Sequence, residues 1–95
     1  MYNLEFGEGF TSEYKKLTKN NIEIKKRILK SLKLLAENPL YPSLRSHKVN
    51  SKEFNNVWSS WVTGDIRIIW KYEDKVLIIV LLAIGSHSGS TNVYK

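Results

Sequence analysis

Hydrophobic and polar positions divide the chain into a short alternating start, two stretches at helical spacing and an apolar, β-rich end. Tyr2, Leu4 and Phe6 alternate with Asn3 and Glu5, the pattern of a half-buried strand, and Gly7 and Gly9 end it. Phe10, Tyr14 and Leu17 then recur at helical spacing, with Thr11 or Ser12 as the expected cap and Lys19-Asn20-Asn21 as the close. Asn20 with Glu23 resembles a capping box opening a second helix. There Ile24, Ile28, Leu32 and Leu35 form one stripe, while Lys25, Lys26, Lys30 and Lys33 lie outside it. Asn38-Pro39 stops that helix, because proline clashes with the preceding turn and biases its neighbour toward extended backbone.

A polar connector runs from Tyr41 to Lys52, and the chain from Val57 onward is organised by strands. Along Ile66 to Tyr72 the residues Ile66, Ile68, Trp70 and Tyr72 share one face, and Arg67, Ile69 and Lys71 the other. Trp58 and Trp61 fall on opposite faces of the strand before it, so one enters the core and the other is available to a base or a partner. Trp70 is expected in the core. After the Glu73-Asp74-Lys75 turn, Val76 to Ile84 carries no charge; it is too short to span a bilayer and suits a central buried strand ending at Gly85. The expected fold is α+β in the order β-α-α-β-β-β, a small twisted antiparallel-rich sheet with a two-helix hairpin on one face.

A chain of 95 residues makes one domain, here residues 1–95, and buries roughly 60–65% of its unfolded surface. No cysteine is present, which removes disulfides, thiolate metal sites and a thiol nucleophile and fits a reducing cytoplasm. MYNLEFGEGF has neither a basic leader nor an apolar export segment, so no membrane association is expected. Fifteen Lys plus Arg against nine Asp plus Glu give a net charge of +6, a bias toward polyanionic partners. A solvated surface is the commoner reason for the lysine face of the second helix; contact with a phosphate backbone is the other.

Candidate chemistry is sparse. His47 and His87 are the two histidines, the side chain that exchanges protons near neutral pH without a pKa shift. There is no Gly-rich phosphate loop, no GxSxG, no HExxH and no dense carboxylate cluster, so acid–base work without a metal or small-molecule cofactor is the chemistry left.

Three separated motifs carry a resemblance. NPLYPSLRSHKVN, VWSSWVTGDIRIIWKYED and VLLAIGSH, in that order after a helical hairpin, resemble the RelE/ParE superfamily of bacterial type II toxins, and more narrowly its YafQ-like branch. The likeness covers most of the chain in element order and about residues 38–87 in motif. It implies a RelE-like fold and a ribosome-dependent endoribonuclease that cuts mRNA, acts in the cytoplasm and is held silent by a cognate antitoxin. The branch pattern carries over at His47, Asp65, Arg67 and His87 as catalytic residues. Arg45, Lys48, Trp61, Lys71 and Tyr94 are the candidates for RNA contact. A second helper histidine of the branch falls near Trp61 and is missing here; Tyr94 follows a longer spacer than usual.

Cleavage without a metal needs a base for the 2′-hydroxyl proton, a cation for charge building on the phosphorane and an acid for the departing 5′-oxygen. His87 is expected as the acid, His47 or Asp65 as the base and Arg67 as the phosphate clamp. Asp65 can equally close the Thr63-Gly64-Asp65 turn, and Arg67 can pair with Asp65 or Glu53. A ParE-like gyrase inhibitor without nuclease activity, and an inactive nucleic-acid-binding relative, remain the other readings. The antitoxin is expected along the helices or near the edge strand at residues 2–6.

Overall fold

The computed structural model describes residues 2–50, 56–73 and 78–86. Strand β1 (Asn3–Phe6) leads into helices α1 (Glu8–Thr18) and α2 (Ile22–Glu37), and a single 3-10 turn (Pro42–Leu44) follows. The remaining strands are β2 (His47–Val49), β3 (Val57–Trp61), β4 (Ile66–Glu73) and β5 (Ile78–Ser86). They form one sheet in the order β1-β5-β4-β3-β2. β2 through β5 pair antiparallel in succession, and β1 returns parallel to β5.

The two helices cover one face. Ile28, Leu32 and Leu35 from α2 and Phe10 from α1 pack on Ile66, Ile68, Trp70, Ile79, Leu81 and Ile84. Each such side chain contributes about 1.5–3 kcal/mol by leaving water. Trp70 is fully buried and stacks on Trp58 at 5.5 Å, with Tyr72 edge-on at 5.0 Å. A register shift between Ile69 and Trp70 sets Trp70 opposite Leu81 and Ile69 opposite Ala83. That bulge lets an apolar strand keep its core residues inward while it twists. No described helix is long and apolar enough to cross a membrane.

Four local expectations change. Helix α1 opens directly after Gly7, not at Thr11 or Ser12; the Thr11 amide and hydroxyl both donate to the Gly7 carbonyl, so Thr11 lies inside the first turn. Gly7 is required by close approach rather than by φ: a Cβ there would stand 2.8 Å from the Leu81 carbonyl oxygen. Asn21, not Asn20, caps α2, accepting from the Ile24 amide, and Asn20 sits in the left-handed region at φ 58°. The connector holds a fifth strand, β2, because three of its residues pair with β3 regardless of their polarity. The last strand runs to Ser86, one residue past Gly85; Val76 and the Asp74-Lys75 turn lie outside the described residues.

Candidate functional site

Cross-strand partners point to the same side of a sheet, so the register assigns the faces. His47 stands opposite Ser59 and Ser59 opposite Ile69; Trp61 stands opposite Arg67 and Arg67 opposite Gly85. Alternation adds Lys71 to that row. His47, Trp61, Arg67 and Lys71 therefore share the face turned away from the helices. Lys48 points the other way, its ammonium 5.8 Å from the Trp58 ring, and is separated from His47 by the sheet.

The segment before β2 is held by a chain of hydroxyls. Trp70 Nε1–H donates to Ser60 Oγ at 2.7 Å, and Ser46 Oγ lies 2.6 Å from both Ser60 Oγ and the Pro39 carbonyl. A carbonyl only accepts, so Ser46 donates to Pro39 and Ser60 donates to Ser46. Every hydroxyl proton is placed by that ordering, and Ser60 and Trp70 are both fully buried. The core tryptophan thus anchors the residue next to His47.

Arg45 closes the 3-10 turn in the left-handed region at φ 48° and ψ 43°. Its carbonyl lies 3.0 Å from His47 Nδ1. Since that oxygen only accepts, Nδ1 carries the proton and the neutral ring keeps its lone pair on Nε2. The exposed imidazole is thereby set in the tautomer a base requires.

Arg67 is only 6% exposed. Its Nη1 donates to the Thr63 carbonyl at 2.7 Å, and its guanidinium carbon lies 4.2 Å from the centre of the Trp61 ring. The Arg45 guanidinium carbon lies 4.3 Å from the same ring. Trp61 therefore holds two guanidinium groups against its π system. The β3–β4 turn is closed by Thr63, whose Oγ1 accepts from the amides of Asp65 and Ile66 at 3.1 and 3.0 Å, with Asp65 exposed beside it.

His47, Arg45, Trp61 and Arg67 are thus brought together on one side, with Asp65 in the turn at the end of the same strands. His87, Tyr94 and Glu53 lie outside the described residues. Among the described residues no three His, Cys, Asp or Glu side chains stand together as metal ligands. Sequence reasoning missed Ser46 and Ser60, which carry no pattern of their own.

Solved structures with this fold include bacterial toxins. A metal-bound toxin from Helicobacter pylori superposes with a TM-score of 0.73 at 23% identity, covering 92% of this chain and 96% of that one. YafQ from Escherichia coli strain BL21(DE3) gives 0.69 at 22% identity over 90% and 93%. YoeB in the heterotetrameric YoeB–YefM toxin–antitoxin complex from Staphylococcus aureus gives 0.71 at 20% identity over 93% and 99%. A sequence search of the curated proteins finds no match. The sequence model of the YafQ bacterial toxins of type II toxin–antitoxin systems matches residues 2–90, nearly the whole chain, and the chain accordingly belongs to that toxin family.

Proposed function

We propose that this toxin is an endoribonuclease that cuts mRNA on the ribosome by attack of the 2′-oxygen on the adjacent phosphorus. The observation that carries the reading is the 3.0 Å contact between His47 Nδ1 and the Arg45 carbonyl, which favours the tautomer with its lone pair on Nε2, on the face that also holds two guanidinium groups. His47 Nε2 takes the 2′-hydroxyl proton, with Asp65 as the other candidate base. The 2′-oxygen–phosphorus bond forms as the phosphorus–5′-oxygen bond breaks, leaving a 2′,3′-cyclic phosphate and a 5′-hydroxyl. Arg67 meets the charge on the phosphorane oxygens, and His87 protonates the leaving 5′-oxygen. Arg45 and Lys71 neutralise neighbouring phosphates, and Lys48 contacts the strand only where it passes the sheet edge. Tyr94 is the remaining candidate contact.

The mechanism assigns no step to a metal or a small-molecule cofactor. A cognate antitoxin silences the activity in the cytoplasm. An apolar cleft of about 440 Å³ between β1 and the helices, lined by Phe6, Phe10, Tyr14, Leu29 and Leu32, supports docking on that side. Phe6 and Leu29 are about half exposed there, at 56% and 49%.

The test is cleavage of ribosome-bound message by the purified toxin, followed by end-group analysis. His47→Gln keeps a polar side chain without a base and should lower the single-turnover rate by 10²–10⁴-fold; His87→Ala should do likewise. Undiminished cleavage by either variant removes that residue from the mechanism. Loss of DNA supercoiling in induced cells, with translation intact, would overturn the nuclease reading in favour of gyrase inhibition.

A further inference from the structure

Beside Trp61 the surface continues into a second concave site. A cleft of about 310 Å³ opens between α2 and the 3-10 turn, lined by Arg27, Lys30, Ser31, Ser43 and Trp61 over a floor of Leu34 and Leu44. Arg27, Lys30, Ser31 and Leu34 follow one another at helical spacing, so α2 presents them as a single flank. That flank lies next to the core stripe of Ile24, Ile28 and Leu35. The buried Ser31 hydroxyl donates to the Trp61 carbonyl at 3.4 Å, joining helix to strand end. Among the described residues no carboxylate lines the cleft. Arg27 and Lys30 are exposed, and their charges add to those of Arg45 and Arg67 around the same tryptophan.

We infer that this cleft is a second phosphate subsite, which takes a phosphodiester of the same RNA strand that passes His47 and Arg67. The inference rests on the nuclease reading for the identity of the strand and adds to it the path the strand follows. A phosphodiester fits better than an acidic side chain for two reasons. The site offers the exposed Ser43 hydroxyl beside two flexible cations, and it meets Trp61, the residue that carries the guanidinium pair at the proposed scissile phosphate. Lys25 and Lys33 have no place in the cleft lining and serve only the general charge of the helix.

Binding is measured by fluorescence anisotropy between the full-length toxin and a labelled single-stranded RNA whose 2′-O-methyl groups prevent cleavage. Log Kd is followed against log salt concentration. A phosphate contact on a single strand contributes about 0.7 to that slope, so Arg27→Gln/Lys30→Gln, which empties a site for one phosphate, should reduce it by about 0.7 and weaken binding alike for different sequences. Lys25→Gln/Lys33→Gln, with the same loss of charge, should leave the slope within about 0.3 of the parent. Equal slopes for the two variants, or an unchanged slope in the first, overturns the subsite. So does a loss of affinity for a short oligoglutamate peptide with RNA binding intact, which would assign the cleft to an acidic protein partner. Because the probe cannot be cut, the outcome is independent of His47; a cleaving parent with an unchanged slope would sink the subsite alone.

Discussion

Replacing Ser60 by alanine probes how the core holds the site. Ser60 accepts from the fully buried Trp70 indole and donates to Ser46, so Ser60→Ala removes two hydrogen bonds. The indole N–H is left without a partner where water does not reach, which costs about 1–3 kcal/mol, and the Ser46 bond contributes about 1 kcal/mol more. The sum is about 2–4 kcal/mol. In a domain of this size that lowers Tm by roughly 10–25 °C. Urea denaturation should show a lower midpoint with an unchanged m value. A double-mutant cycle isolates the cause. In a Trp70→Phe background there is no N–H to strand, so Ser60→Ala should cost only about 1 kcal/mol, giving a coupling of about 1–3 kcal/mol. If Ser60→Ala costs the same in both backgrounds to within about 0.5 kcal/mol, the buried relay contributes nothing and the account of how residue 46 is anchored is wrong.

Gly7→Ala should destabilise the toxin by about 1–3 kcal/mol in the same denaturation assay, because the new methyl meets backbone at Leu81 and cannot move aside. Arg45→Gly should be more stable than Arg45→Ala by about 1 kcal/mol, since glycine occupies the left-handed region without strain; both should weaken RNA binding, and equal stabilities would refute the strain. Burial and then the neighbouring Tyr2 raise the Tyr72 pKa above its ordinary value of 10.0. Its unfolded form therefore ionises first. The stabilising contribution is complete below about pH 10 and is lost as pH rises through the folded pKa. Tyr72→Phe should flatten the fall of stability above pH 10 seen in thermal melts, and an unaltered alkaline limb would contradict the shift.

The helical stripe of α2, the Asn38-Pro39 stop and the alternation around Trp70 were legible because each depends on near neighbours in the chain. The family motifs were legible for the same reason, as runs at fixed spacing. β2 was not: its residues carry no apolar alternation, and only the backbone of β3 makes them a strand. The start of α1 at Gly7 likewise depends on β5, which leaves no room for a side chain there.

At the site the division is sharper. Sequence by itself named His47, Arg45, Trp61 and Arg67 as candidates and put Trp58 and Trp61 on opposite faces. It said nothing of the proton on His47, which a carbonyl in the left-handed Arg45 turn decides, nor of the two guanidinium groups held against Trp61. Periodicity fixes which side a residue faces. Partners across strands, and the direction of each hydrogen bond, come only when distant segments pack and every buried polar group must find its complement.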